Sequence, residues 1–286
     1  MGNSVLLTGA NAGIGLVTAL ELAGAGWDVI GTARTAEKAA RLSGIAHDKG
    51  LEVRTVLCEV DDPDSCAKAV AEAEAMTDGL SALVNNAGYA QSGAVEDISD
   101  GLVRAQLETN VVAPIRLARL VLPGMRERGQ GRIINISSVA GRLSTPLMGW
   151  YCASKHALEA VTDALRMEVE GDGIKVSLVE PGMFATDVWS AAQVGGFPDP
   201  STARYAAAYA RGEALGARSH KLPDPVWVAR TIRVALSNPV PLARYVVGAD
   251  AVGGILAETM LPTVLTDYVK AISTGLRSPI RLPFVR

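Results

Sequence analysis

The sequence predicts a doubly wound α/β domain, with a seven-stranded parallel sheet and helices on both of its faces. Three observations carry this expectation. Seven apolar runs of strand length alternate with helix-length segments, the order that a parallel sheet with crossover helices requires. Most of these runs are continuously apolar rather than alternating, as strands buried on both faces are. The first run passes directly into TGANAGIG at residues 8–15, where a strand must turn tightly into a helix.

The strands read SVLLTG (4–9), DVIGTAR (28–34), LEVRTVLC (51–58), SALVNNAG (81–88), RIINISS (132–138), KVSLVEPG (175–182) and RYVVGAD (244–250). Helical patterns fall at 14–25, 36–49, 64–77, 100–128, 151–170 and 224–237. Asp61, Asp62 and Pro63 mark the start of the third, with a capping oxygen followed by a ring that needs no N–H partner. Residues 190–223 are rich in Ala, Gly, Pro and Ser and read as a loop with one short helix. Insertions of this length form lids and binding loops. Residues 1–286 are therefore expected to make one domain, with a substrate lid at 187–223.

Composition narrows the function classes. The 286 residues are 49% hydrophobic and 20% charged, enough for one large core. A net charge of −3 leaves no basic footprint for nucleic acid. Cys58, Cys66 and Cys152 are odd in number and lack paired spacing, which points to free thiols and a cytoplasmic location. There is no CxxC, and His47, His156 and His220 are scattered, so no metal site is expected. The opening apolar run is too short for a signal peptide. The apolar stretch 245–269 is interrupted by Asp250, Glu258, Pro262 and Asp267, so no membrane span is expected.

A helix starting at the C-terminal end of the first strand presents unpaired N–H groups and partial positive charge to the crevice there. Gly9, Gly13 and Gly15 let the backbone approach a pyrophosphate with no Cβ in the way. The stretch is a candidate dinucleotide cradle or a simple tight turn; its spacing is G-x-x-x-G-x-G rather than G-x-G-x-x-G. Together with NNAG (85–88), NISS (135–138) and YCASK (151–155), in that order, it resembles the classical short-chain dehydrogenase/reductase family, whose glycine spacing is this one. The likeness covers residues 4–190, and YCASKHALEA is similar to the hydroxysteroid and retinol dehydrogenase group. The resemblance implies a single-domain Rossmann fold and an oxidoreductase that moves a hydride between a nicotinamide and a ketone, aldehyde or secondary alcohol. It also implies a homodimer or homotetramer through helices 100–128 and 151–170.

The chemistry centres on Tyr151 and Lys155, four residues apart and so on one helix face. A phenol ionises near pH ~10, and an adjacent ammonium favours phenolate. Bringing it to about 7 takes roughly 4 kcal/mol at ~1.4 kcal/mol per unit. A solvated lysine does not supply that, so a partly buried site and a positive nicotinamide ring are expected to add to it. Ser138, thirteen residues before Tyr151, can hold a substrate oxygen beside the tyrosine. Ser137 competes for that role, and the family's spacing favours Ser138. Pro114 follows Asn110 by four residues and cannot bond its carbonyl, so a kink is expected there. By resemblance, Asn110 holds a water that links Lys155 to solvent, and protons reach Tyr151 through Lys155 and a cofactor ribose.

The resemblance also assigns cofactor contacts. Asn11 and Ile14 join Gly9, Gly13 and Gly15 at the pyrophosphate, and Asn86, Ala87 and Gly88 lie beside the adenine ribose. Pro181, Gly182 and Thr186 lie near the carboxamide. Glu59 and Val60 meet the adenine, with glutamate replacing the usual aspartate. The second strand ends Thr32, Ala33, Arg34, without the carboxylate that would hold the ribose hydroxyls of NAD. A guanidinium suits a phosphate monoester, so NADP(H) is the expected preference and NAD(H) the alternative; Ala12 stands where many NADP-preferring relatives carry a basic residue. Leu143, Pro146, Met148 and Trp150, with Met183, Phe184, Val188 and Trp189, are the expected apolar walls around Ser138 and Tyr151. They suit a bulky steroid- or retinoid-like carbonyl or alcohol. The competing function is a dinucleotide-binding sensor or scaffold without turnover, which would not need Asn110, Ser138, Tyr151 and Lys155 together. An extended-branch epimerase or dehydratase is disfavoured by the glycine spacing.

Overall fold

All seven apolar runs join one parallel sheet. The strands are β1 (Ser4–Leu7), β2 (Asp28–Ala33), β3 (Arg54–Leu57), β4 (Ala82–Asn85), β5 (Gly131–Ile136), β6 (Ile174–Pro181) and β7 (Arg244–Val247). They lie in the order β3-β2-β1-β4-β5-β6-β7, each parallel to its neighbours. The winding reverses between β1 and β4, the place where open α/β sheets bind ligands. The chain is described here by a computed structural model covering residues 3–186 and 204–278.

Both sheet faces are apolar because alternate residues of each strand feed a different core. Leu6, Ile30, Val56, Leu83, Ile133 and Val176 pack with α3 (Pro63–Ala75), α5 (Ala113–Glu127) and the end of α6 (Gly149–Glu168). Val5, Leu7, Val29, Val84, Ile134 and Val179 pack with α1 (Gly13–Gly24), α2 (Ala36–His47) and α8 (Val226–Ser237). Asp62 caps α3 by accepting the amides of Asp64 and Ser65, with Pro63 in the first turn. The remaining helices are α4 (Asp100–Leu107), α7 (Ala206–Gly216), α9 (Ala249–Met260) and α10 (Thr263–Ser273).

Two expectations are corrected. The segment 100–128 is not one helix: α4 and α5 are joined by a wide π-type turn, Glu108–Val112, in which the Ala113 amide reaches back five residues to the Glu108 carbonyl. Pro114 has no N–H for the carbonyl of Asn110, so the ladder absorbs the defect by widening. The stretch after β7 forms α9 and α10, helices the sequence reading did not assign; among the described residues no helix is long and apolar enough to cross a membrane. In the segment before α8, α7 is anchored by Tyr209, which is fully buried. Its hydroxyl accepts the Ala94 amide at 2.9 Å and donates to Asp97. Val188 and Trp189 lie outside the described residues. Cys58, Cys66 and Cys152 are free and buried.

A buried polar chain holds the helices to the sheet centre. Asn85 Nδ2 donates to the Pro114 carbonyl at 3.1 Å and to Asn135 Oδ1 at 2.8 Å, and Asn135 Nδ2 donates to Thr162 Oγ1 at 2.8 Å. Removing the middle member strands its partners. Asn135→Ala is expected to lower the unfolding free energy by about 1–3 kcal/mol, measured by urea denaturation at constant slope; a change under about 0.5 kcal/mol would contradict this role.

Candidate active site

A cleft of about 450 Å³ opens above the C-terminal ends of β1 and β4. Its floor is built by two motifs that fasten each other. The Thr8 hydroxyl accepts the amides of Asn86 and Ala87, both at 2.9 Å, and Asn86 Nδ2 returns a hydrogen bond to the Thr8 carbonyl at 2.9 Å. Gly9 and Gly13 are in left-handed conformations, with φ of +63° and +51°, which an L side chain resists. A Cβ on Gly9 would lie 3.1 Å from the Ala87 Cα. The first turn of α1 has no side-chain cap and no acidic residue, so its amides remain available to an anion.

Most of the sequence-assigned residues line this cleft: Gly9, Asn11, Gly13, Ile14, Arg34, Val60, Asn86, Ala87, Gly88, Ser138, Tyr151, Lys155, Pro181, Gly182, Phe184 and Thr186. Gly15 does not. Its Cβ would fall 2.1 Å from the Gly9 carbonyl oxygen, so it serves the packing of α1 beneath the loop. Glu59 is exposed, off the cleft, and holds Ser65 Oγ through its amide. Asp61, two residues on, does line the cleft, and accepts the Thr109 hydroxyl at 3.1 Å. Arg34 is exposed and makes no ion pair among the described residues. Tyr89, Thr109 and Ile136 also line the cleft; their adjacency to NNAG, Asn110 and NISS was the available signal.

Tyr151, Ser138 and Lys155 meet at one end of the cleft. Lys155 is buried, its Nζ donating to the Ile136 carbonyl at 2.8 Å and sitting 5.9 Å from the Tyr151 ring centre. Ser138 Oγ accepts the Ala140 amide at 3.1 Å. The neighbouring Ser137 hydroxyl also lines the cleft and is buried without a partner. Burial pushes the Tyr151 phenol up to about 12, against a hydrogen bond from Ser138 that pulls it down. Burial lowers Lys155 to about 8, against the favourable charge of Glu159. The acidified phenol expected from the sequence depends on a bound nicotinamide as well as on Lys155; the chain's own groups leave the phenol raised. Desolvation penalises phenolate more than the Ser138 hydrogen bond favours it.

Asn110 lies behind the cleft rather than on it. Its Nδ2 donates to the Tyr89 carbonyl at 2.9 Å and Ser154 Oγ at 3.0 Å, and its Oδ1 accepts the Tyr89 amide at 3.2 Å. With the side chain engaged, its main-chain carbonyl lacks the usual N–H partner four residues on, where Pro114 stands. Of the expected apolar walls, Leu143 faces Gly254 of α9, Met148 accepts the Ser92 hydroxyl at its sulfur, and Trp150 donates to the Val95 carbonyl. Met183 is 43% exposed. None of these four lines the cleft.

Asp250, which sequence reading weighed only as a charge against a membrane span, supports the cleft wall. Its Oδ2 accepts the Met183 amide at 2.7 Å. A Cβ on Gly182 would lie 2.4 Å from both of its carboxylate oxygens, so Gly182 is required for the carboxylate to sit against the strand end. Gly248, with φ of +110°, starts α9 and brings Asp250 into its first turn, where an acid is favoured.

The sheet order, the glycine cradle and the Ser–Tyr–Lys cluster define an oxidoreductase built on a nicotinamide-dinucleotide fold. The chain belongs to the short-chain dehydrogenase family: the family model described as "short chain dehydrogenase" matches residues 3–194. It is 42% identical over 187 residues to the uncharacterized oxidoreductase YbbO of Escherichia coli, covering 65% of this chain and 67% of that one. It is 32% identical to the NADPH-dependent 3-dehydrocapnine reductase of Ornithobacterium rhinotracheale, covering 92% and 94%. To human retinol dehydrogenase 5 it is 34% identical, covering 93% and 86%. Among solved structures, a short-chain dehydrogenase from Streptomyces avermitilis aligns with TM-score 0.79 at 33% identity over 96% of this chain and 98% of that chain. One from Burkholderia phymatum in complex with NAD aligns with TM-score 0.79 at 25% identity over 94% and 95%.

Asp250→Ala is expected to weaken dinucleotide binding roughly fivefold by freeing the Met183 amide, while Asp250→Asn, which keeps an acceptor oxygen, is expected to retain it. A fluorescence titration with NADPH decides; equal affinity of the alanine variant and the parent would remove the supporting role.

Proposed function

We propose that this protein reduces a bulky apolar ketone or aldehyde, or oxidises the matching alcohol, with preference for NADP(H) and with Tyr151 as general acid and base. The observation that supports this best is the meeting of Ser138, Tyr151 and Lys155 in a cleft also lined by Arg34, which makes no ion pair among the described residues. The bound dinucleotide supplies or accepts the hydride. The residues present suit it: uncapped α1 amides and left-handed glycines for the pyrophosphate, Arg34 for a 2′-phosphate, and Pro181, Gly182 and Thr186 for the nicotinamide end.

Ser138 would hold the substrate oxygen beside Tyr151. The Tyr151 hydroxyl, neutral through the physiological range, hands its proton to that oxygen as the carbonyl is reduced. Lys155 lends positive charge to the phenolate left behind, offsetting part of the desolvation cost. The main-chain carbonyl of Asn110 anchors the path by which Lys155 regains contact with solvent. Phe184 supplies an apolar surface suited to a hydrophobic substrate. An NAD(H)-dependent version of the same chemistry is favoured by one feature, the Asp61 carboxylate on the cleft.

Three outcomes are expected. Tyr151→Phe lowers kcat by about 10²- to 10⁴-fold and leaves NADPH binding intact; full activity would exclude the assigned acid. Arg34→Glu lowers kcat/KM for NADPH roughly 10- to 100-fold relative to NADH, and a parent enzyme that prefers NADH would overturn the cofactor assignment. For carbonyl reduction, kcat/KM is level at lower pH and falls as pH rises through about 8, as Lys155 loses its proton while Tyr151 keeps its own; a rise across that range would contradict these roles.

A further inference from the structure

Among the described residues Lys155 has one hydrogen-bond acceptor, the Ile136 carbonyl, yet a buried ammonium without a counter-charge tends to shed its proton. One turn further along α6 lies Glu159, which is also buried. It is held from behind. Arg244 of β7 places Nε 3.0 Å from Glu159 Oε2 and 3.1 Å from Glu180 Oε1, while its Nη2 is 2.5 Å from Asp163 Oδ2. Arg142, from the turn after Ser138, is 3.3 Å from Glu180 Oε1, and Arg166 pairs with Asp163.

Among the described residues Arg244 is the guanidinium paired with Glu159, and it is shared with Glu180 and Asp163, which Arg142 and Arg166 also pair. The second Glu159 oxygen, Oε1, makes no hydrogen bond, nor does the Ser137 hydroxyl on the cleft wall. A Cβ on Gly141 would lie 2.8 Å from Ser137 Oγ and 3.2 Å from Glu159 Oε1, so the free carboxylate oxygen stands directly behind that wall. Glu108, on the adjoining π-type turn, is paired with Arg116. His156 is exposed, with its Nδ1 at the Cys152 carbonyl.

We infer that Glu159 is a positioning residue that keeps Lys155 cationic and seated on the Ile136 carbonyl, with Arg244 holding the carboxylate in place. The assignment rests on the dehydrogenase reading, but its test does not need turnover. Lys155 lines the cleft, so NADPH affinity should weaken as pH rises through the loss of its charge. NADPH dissociation constants are measured by fluorescence from pH 6 to 10, together with Tm, for the parent, Glu159→Gln and Glu159→Asp. Gln can still accept from Arg244 but carries no charge.

The expected result is that Gln moves the alkaline limb of binding down by roughly one pH unit with a folded protein, and that Asp keeps the limb of the parent. An unmoved limb in Gln, with or without a lower Tm, would overturn the inference. If Gln does not fold, Asp carries the test: a limb displaced to lower pH despite the retained charge would overturn it. Absence of turnover in the parent with this binding behaviour intact would instead count against the dehydrogenase reading alone.

Discussion

A cation held out of water is the constraint around which this molecule is arranged. Lys155 is buried, bonded to the last carbonyl of β5, and placed one helical turn from Tyr151. A charge in that position is costly, and the surroundings offset the cost. The β5 carbonyl accepts from it, Glu159 opposes its desolvation, and the arginine lattice behind Glu159 ties α6 to β6 and β7. The same burial that makes the lysine expensive keeps the phenol of Tyr151 protonated. The chain's own groups therefore hold a phenol beside a cation, an arrangement that suits the carbonyl reduction proposed for it.

The cleft is a product of fastening rather than of any single loop. The Thr8 hydroxyl joins β1 to the end of β4, Asn85 and Asn135 join β4 and β5 to α5 and α6, and Asp250 joins the end of β6 to α9. Each fastener is a polar side chain satisfying backbone or side-chain groups that the change of direction would otherwise leave unpaired. Fixing the C-terminal ends of β1, β4, β5 and β6 in this way positions donors for a ligand without ordering them at the moment of binding.

Much of this was readable in the residues. Most of the strands announce themselves because both faces are covered, so their runs are unbroken. Pro114 foretold a defect at Asn110, although not that a π-type turn would absorb it. What could not be read has physical causes. The α9 and α10 helices carry exposed Val252, Leu256, Met260 and Val264, so their pattern lacks a polar face. Gly15 and Glu59 sit within motifs whose neighbours reach the cleft, and only the backbone direction separates them. Asp250 acts across 67 residues of chain, beyond any local spacing. The neutral state of Tyr151 follows from desolvation, which depends on the whole surroundings and not on the Tyr-x-x-x-Lys interval.

The central claim is that the cleft brings a nicotinamide and an apolar carbonyl together so that a hydride crosses directly while Tyr151 supplies the proton. Its most direct test is transfer of label from NADPH deuterated at C4 to an apolar ketone, read by mass spectrometry of the alcohol. The account predicts one deuterium on the carbinol carbon, from one of the two C4 faces only, and none acquired there from solvent deuterium oxide. Intact NADPH binding with no labelled alcohol from any ketone or aldehyde in a broad apolar panel would contradict it.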